Sequence, residues 1–337
     1  MSVTLREVAQ AAGVSVAAAS KVLHGRGDSI RVSQQRALEI RAVAERLAYY
    51  PNALARNLRG RRTHTIGLIF ENFGDLSNGP QYYSQLIAGV GTRIFPEHYR
   101  LTLLPELDHD DVMGTLADGH LEGVIWCKLA RDQAIIDQIA RCPIPIVAFN
   151  TPPTVAGTKA VFVSCDNEGG MEMAVDHLWN LGHRKFLFVH EYQEANTPDC
   201  VARRDGFLSS VARRGGSAKV VAWEWHLQQF EDWWATEPQE TAVVGWTERV
   251  GGVVLQHAAR LGISVPEQLS VVGFDSTAYC DATRPRLTAV RQPIFDMAQH
   301  ASGLLLNLIQ GIRPENDSTI FPCVLDIRDS TAQAPQR

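Results

Sequence analysis

Long apolar runs are missing from this 337-residue chain, and no window approaches the roughly 18 uninterrupted apolar residues that a membrane-spanning helix requires. The opening MSVTLREVAQ lacks the basic start and the apolar run of about 7–15 residues found in a secretory signal, so the chain is expected to stay in the cytoplasm. Cysteine is sparse and scattered. Cys127, Cys142, Cys165, Cys200, Cys280 and Cys323 form no CxxC pair, which argues against a zinc site or a disulfide framework and for buried, reduced thiols. Common catalytic motifs are absent too: there is no GxxxxGK[ST] loop, no GxSxG elbow and no HExxH, since His190-Glu191 is followed by Glu194 where the second histidine belongs. Gly89-Val90-Gly91 lacks the third glycine of a dinucleotide fingerprint, and adjacent loop residues such as His109-Asp110-Asp111 are usually solvated. No catalytic residue, cofactor or metal is therefore expected. Repetitive or biased tracts are also wanting, which excludes disordered and fibrous architectures.

What remains is a globular composition, 45% apolar and 20% charged, long enough for about two domains at roughly 100–200 residues each. The net charge of −5 conceals an asymmetry. The first 62 residues carry eleven Lys or Arg against Glu7, Asp28, Glu39 and Glu45, a balance of +7; the remainder has 21 basic and 33 acidic residues, a balance of −12. A small basic head on a large acidic body fits a nucleic-acid binder with a separate regulatory domain.

The head has a local pattern to match. Thr4-Leu5-Arg6-Glu7 has the spacing of a capping box, Leu5, Val8, Ala9 and Ala12 share one helical face, and Gly13 supplies a left-handed stop. Ser15 is placed to cap a second helix that turns Ala19, Val22 and Leu23 inward and leaves Val16, Ala17, Ser20 and Lys21 outward. Two short helices joined by a tight glycine turn predict a helix-turn-helix whose second helix enters the major groove. A third amphipathic segment from about Ser33 to Leu47 offers Ala37, Leu38, Ile40, Arg41, Val43, Ala44 and Leu47 to close the core, after a glycine-bearing loop over 24–31.

Three ordered motifs now carry a resemblance. The run from Val3 to Ser15 (VTLREVAQAAGVS), the run from Tyr50 to Leu58 (YPNALARNL) and Thr65-Ile66-Gly67-Leu68-Ile69 are similar to the LacI/GalR family of bacterial transcriptional repressors, and the similarity continues through Asp326 to Thr331. It implies that Val16 and Ala17 read bases, where their small apolar side chains could touch thymine methyls but donate no hydrogen bond, while Thr4 and Ser15 position phosphates. Ala18, Ala19, Lys21 and His24 depart from the family pattern of threonine, valine, arginine and asparagine. Lysine lacks the bidentate fork that arginine presents to guanine, which lowers the expected discrimination at Lys21.

Pro51 breaks helical continuity, and Asn52 can cap a short segment over 53–58 that ends at Gly60. So few residues hold no helix in water unaided. The resemblance implies that two such hinge helices, one per subunit, pack in the minor groove, with Asn52, Ala55 and Leu58 at the DNA and Leu58 as an apolar wedge; Arg56, Arg59, Arg61 and Arg62 would add phosphate attraction.

Beyond Thr65, some nine apolar runs of strand length alternate with helical stretches, among them Leu101–Leu104 and Val220–Trp223, a pattern of strands buried on both faces of parallel sheets. Nine strands exceed one comfortable sheet, so two sheets flanking a cleft are expected, an α/β doubly wound core with ligand at the strand carboxyl ends. The resemblance makes this a two-subdomain periplasmic-binding-protein-like core. The expected layout is a helix-turn-helix headpiece at 1–50, hinge helix and linker at 51–62, an effector-binding and dimerisation core at 63–330 with crossovers near 163, 292 and 320, and a tail at 331–337. The tail has no leucine heptads, so no coiled-coil tetramerisation is expected. Asp275 and Arg203 match the family's ligand-holding acid and base, with Tyr82, Tyr83, Asn150 and Asp166 at other family site positions. Trp246 belongs to a tryptophan-rich stretch (Trp223, Trp225, Trp233, Trp234, Trp246) that could stack on a sugar ring, although Trp233 and Trp234 cannot both face one cleft. Thr247-Glu248 stands where the family usually has Asn-Asp, which alters the pocket wall. The expected function is a homodimeric DNA-binding repressor on a pseudo-palindromic operator in double-stranded DNA, modulated by a small polar effector such as a sugar. The alternatives are a regulator that has lost its effector response and an α/β enzyme; a solute-binding protein is disfavoured by the basic head and the missing signal.

Overall fold

The computed structural model describes residues 3–24, 32–49, 62–70, 81–105, 112–129, 133–153, 159–223 and 227–336. These fall into two compact units, residues 1–63 and 64–337. In the first, α1 (Leu5–Ala11), α2 (Val16–His24) and α3 (Gln34–Arg46) close on a small core of Ala9, Ala19 and Ile40, with Leu5, Val22 and Leu23 packed at its rim. Such a small core leans on its helix ends. Thr4 Oγ1 accepts the Glu7 amide at 3.4 Å while Glu7 Oε2 accepts the Thr4 amide at 2.6 Å, Ser15 Oγ accepts from Ala18, and Ser33 Oγ accepts from Arg36. Gly13 takes φ +61° in the turn, and Arg36 of α3 donates to the carbonyls of Ala12 and Gly13, so the third helix holds the turn that sets the angle between the first two. Leu38 and Arg41 do not join the core as the amphipathic pattern suggested. Both point outward, Leu38 being 63% exposed, because Ile40 and Ala44 alone occupy the narrow stripe facing α1 and α2.

The second unit begins with β1 (Thr65–Ile69), α4 (Tyr82–Ile94) followed by a 3-10 turn (Phe95–Glu97), β2 (Arg100–Leu104), α5 (Val112–Leu116), β3 (Gly123–Cys127), α6 (Gln133–Arg141), β4 (Ile146–Phe149) and β5 (Val161–Cys165). It continues through α7 (Asn167–Asn180), β6 (Lys185–Glu191), α8 (Pro198–Arg213), β7 (Ser217–Trp223), α9 (Leu227–Ala235), β8 (Ala242–Gly245), α10 (Glu248–Arg260), β9 (Ser270–Asp275), α11 (Tyr279–Ala282) and β10 (Thr288–Arg291). The last elements are α12 (Ile294–Ile309), β11 (Ser318–Phe321) and β12 (Val324–Asp326).

Two six-stranded sheets result, ordered β2-β1-β3-β4-β5-β11 and β7-β6-β8-β9-β10-β12. Every described pairing is parallel except that of β12 with β10. The chain crosses between sheets three times, after Cys165, after Arg291 and after Phe321, so each sheet is completed by strands from distant parts of the sequence. The central strands β3, β4, β5, β8 and β9 are buried throughout, as continuous Val, Ile and Phe runs require when helices cover both faces, and each such side chain contributes about 1.5–3 kcal/mol of burial.

Two expectations fail at the sheet margins. Twelve strands are described rather than nine, because β10, β11 and β12 are short and carry too little apolar residue to stand out. β2 and β7 are not buried on both faces: they are edge strands with mostly half-exposed or exposed side chains. All six cysteines are buried and free. No helix among the described residues is long and apolar enough to cross a membrane.

Candidate functional site

The head and the core each gather the residue types of a distinct chemistry. On the head, Thr4, Ser15, Val16 and Ala17 are exposed, and Ser20 and Lys21 half-exposed. Val16 keeps 45% of its surface accessible although it is apolar and Ala19, on the opposite side of α2, is fully buried. An exposed valine and alanine at the start of a helix leave a smooth, small-residue surface able to approach DNA closely. The hydroxyls of Thr4 and Ser15 are engaged as caps, so they hold their helix ends in place as well as facing outward. His24 ends α2, but its side chain, together with Asn52, Ala55, Leu58 and the arginines at 56, 59 and 61, lies outside the described residues.

In the core, a cleft opens at the carboxyl ends of the strands of both sheets. From the first sheet come Tyr82 and Tyr83, which open α4, and Lys128, which follows β3 in left-handed backbone at φ +56°. From the second come Glu191 at the end of β6 and Glu194 beyond it, Asp199 in the first turn of α8, Trp246 and Thr247 after β8, Arg249 and, at the tip of β9, Asp275.

Beneath this wall Arg203 is 1% exposed and organises the site. It sits one turn beyond Asp199 on α8, with Nη1 at 3.3 Å from Asp275 Oδ1 and Nη2 at 3.8 Å from Asp199 Oδ2. Its Nε donates to Asn167 Oδ1 at 2.9 Å, its Nη1 donates to the Trp246 carbonyl at 2.7 Å, and its plane lies 3.8 Å from the centre of the Phe274 ring. Burial opposes the charge, but Asp275 and Asp199 outweigh it and hold the guanidinium above its ordinary range. Burial likewise pushes the Asp275 carboxyl up, against the pull of Arg203 and a 2.6 Å hydrogen bond from Gln292. Four buried polar atoms in this group carry no hydrogen bond: Asp199 Oδ1, Arg203 Nη2, Trp246 Nε1 and Gln292 Oε1. Two are acceptors and two are donors. Such a mixture suits a ligand whose groups both give and take hydrogen bonds, and hydroxyls do both.

The anticipated residues divide. Tyr82, Tyr83, Trp246 and Asp275 line the cleft and Arg203 underlies it. The tyrosines are also core: Tyr83 stacks on Phe70, and the Tyr82 hydroxyl, its ionisation suppressed first by burial, lies 3.6 Å from Cys127 Sγ. Asn150, fully buried at φ +52°, reaches the site only by donating to Asp199 at 3.4 Å. Asp166 does not line the cleft: exposed at the first crossing, it caps α7 by accepting the Gly169 amide at 2.9 Å. Trp223 and Trp233 pack with Phe230 outside the site, and Trp234 packs on Trp233, so Trp246 alone of the described tryptophans supplies a cleft face. Thr247 lines the cleft where the family likeness put it in the pocket wall, whereas Lys128, Glu191, Glu194, Asp199 and Arg249 were not singled out as site residues from the sequence. Asp199 lies one helical turn before Arg203, a usable signal, whereas the position of Lys128 depends on which strands lie side by side.

The chain matches known families in two segments. Residues 4–52 match the bacterial regulatory proteins of the lacI family, and residues 175–331 match the periplasmic binding protein-like domain. The HTH-type transcriptional regulator CelR of Thermobifida fusca is 27% identical over 97% of this chain and 98% of its own length. Among solved structures, a CelR–cellobiose complex superposes with a TM-score of 0.71 at 24% identity, covering 97% of this chain and 99% of that one. A lac repressor dimer bound to operator and an anti-inducer gives 0.82 at 22% identity, covering 98% and 100%. These structural likenesses are likenesses of fold.

Proposed function

We propose that this chain, which belongs to the lacI family of bacterial regulatory proteins, represses transcription as a homodimer on a pseudo-palindromic operator and changes its grip on that operator when a neutral sugar enters the core cleft. Members of the family are transcriptional regulators rather than enzymes, and this one works in the cytoplasm, at the nucleoid.

One observation supports the reading most: the buried Arg203–Asp275 pair is hydrogen-bonded to two of the three crossings between the sheets, and the residue next to Asp275 is bonded just beyond the third. Arg203 holds Asn167, whose amide donates to Ser164 Oγ and the Cys165 carbonyl at the first crossing. Asp275 accepts from Gln292 at the second. Ser276, the next residue, donates to Asp326 at 2.7 Å just beyond the third. A ligand that engages this pair therefore acts directly on two of the segments about which the two sheets can turn and, through Ser276, next to the third. It shifts the equilibrium by its difference in affinity between the two arrangements. Sugar is favoured over an acid because four carboxylates, Glu191, Glu194, Asp199 and Asp275, outnumber Lys128, Arg249 and the underlying Arg203. Trp246 offers an aromatic face, and the unsatisfied donors and acceptors suit hydroxyls.

On the head, Val16, Ala17, Ser20, Lys21 and His24 meet base edges and Thr4 and Ser15 meet phosphates, with Asn52, Ala55 and Leu58 at the minor groove. The test is to sequence genomic fragments bound by the full chain near physiological salt, then follow binding to the enriched site by fluorescence anisotropy while adding cellobiose, sucrose, ribose or glucuronate. A palindromic site whose affinity moves with a neutral sugar is the expected result. Asymmetric sites would overturn the dimeric reading, and a response to glucuronate alone would overturn the ligand class.

A further inference from the structure

The geometry points to Glu248 as the residue that positions Asp275 for ligand and that ties the Asp275 turn, through Thr277, to helix α4 on the other side of the cleft. The inference rests on the ligand-cleft reading above but concerns a residue that does not line the cleft. Glu248 opens α10 and is fully buried. It is brought to the end of β9 because Gly273 has no side chain: a Cβ there would lie 2.9 Å from Glu248 Cα. From that position its carboxylate accepts the Thr277 amide at 2.6 Å on Oε2 and the Thr277 hydroxyl at 2.5 Å on Oε1, with the Cys280 thiol 3.1 Å from Oε2.

The turn it holds is a strained one. Asp275 and Ser276 both adopt left-handed backbone, φ +92° and +49°, which costs a non-glycine residue free energy and persists only where neighbours enforce it. The strained residues are themselves held by Gln292, Arg203 and Asp326, and Glu248 fixes Thr277, the residue immediately after them. Its partner Thr277 also reaches across the cleft. Thr277 Oγ1 accepts the backbone amide of Gln81, the residue that precedes α4, at 3.3 Å, and that of Tyr279 at 3.3 Å. Gln81 adjoins Tyr82 and Tyr83 of the opposite wall. The hydroxyl thus gives its one proton to Glu248 and keeps both lone pairs for amides, one of them on each side of the cleft.

That arrangement needs Glu248 ionised. With a proton on Oε1, Glu248 would donate to Thr277, and the hydroxyl would lose an acceptor site for the two amides. Burial, and then the charge of Asp275, raise the Glu248 carboxyl to about 7. Facing it are Asp275 at the end of β9, and Tyr279 and Cys280 of α11, with Arg249 next along its own helix. Burial first, and the charge of Glu248 next, push both Tyr279 and Cys280 up, so these two stay protonated where Glu248 titrates.

Hydrogen exchange on the full-length chain tests this directly, with rates corrected for the chemical effect of pH. Wild type should lose protection at the Gln81 and Tyr279 amides, which share the Thr277 hydroxyl, by up to about tenfold, the worth of one hydrogen bond, as pH falls from about 8 to about 5.5, while the Thr277 amide on Oε2 keeps its protection. E248Q, whose amide mimics the protonated acid, should show the low protection at both pH values. T277V should expose the Gln81 amide at both pH values while leaving the Thr277 amide protected at about pH 8. If E248Q loosens α10 and β9 uniformly, and Gln81 in wild type ignores pH, Glu248 is only core and the inference fails. Calorimetry with cellobiose, sucrose and ribose adds a second arm: a sugar that binds should bind wild type several-fold more weakly at about pH 5.5 and E248Q equally at both. If none of the sugars binds while the exchange pattern appears, the ligand class is wrong and the positioning role stands.

Discussion

The two sheets of the core share their strand order and most of their parallel pairing, yet they furnish opposite walls to the cleft. The first contributes two aromatic side chains and one lysine from residues that are largely core. The second contributes carboxylates, two arginines and a tryptophan on strand ends and the first turns of helices. Equal topology therefore does not mean equal duty. On the proposed reading one half grips and the other covers, because the second half's strand ends hold charge in fixed, mutually paired positions, whereas the first half's wall is continuous with its apolar interior.

Breaking the gripping half should have the largest effect. Arg203→Leu strands Asp199 and Asp275 in the interior, and urea denaturation should show a loss of about 3–5 kcal/mol. A loss below about 1 kcal/mol would mean that both halves contribute alike. Next in size is a pH slope peculiar to the second half. Glu248 titrates at about 7 in the fold and near 4.5 ordinarily, so its contribution to stability is fully present below the lower value and is lost as pH rises through the upper. E248Q should flatten that part of the stability curve, on the order of 3 kcal/mol between about pH 4.5 and 8. His183, lowered to about 4 by burial, works the other way: its contribution is present above 6.5 and lost as pH falls through about 4, so H183Q should steady the acid limb. Asp275→Asn keeps the shape and the Gln292 contact but removes the charge, and sugar affinity measured by calorimetry should fall about 10- to 100-fold with the fold intact. Tyr82→Phe, in the covering half, should change affinity by less than about tenfold, which sharpens the contrast.

The head was legible almost to the residue, since caps, turn glycine and helical spacing are local signals: Thr4, Gly13, Ser15 and Ala19 stand where the pattern put them. Its errors, Leu38 and Arg41, came from treating a three-helix core as larger than it is. In the core, central strands announced themselves as apolar runs, but edge status did not, because Leu101 to Leu104 reads like a buried strand until its lack of a second neighbour is known. The cleft was half legible. Asp275 and Arg203 stood out through family likeness, while Lys128 and Asp199 enter the site only when β3 and α8 come together, information that no single segment carries. Glu248 was visible as a departure from the family pattern, but its partner, Thr277, was not.

The threading of the chain bears on its biosynthesis. The first sheet lacks its edge strand β11, and α12, which packs against α4 and β3 to β5, until residues 294–321 have been made. At about 5–20 residues per second, a ribosome needs roughly 8–30 s to travel from Cys165 to Phe321. Throughout that interval the nascent first sheet waits with the apolar face of α4 uncovered, while the DNA-reading head has already emerged. Chaperone demand during translation should accordingly concentrate on the first sheet and end when α12 arrives.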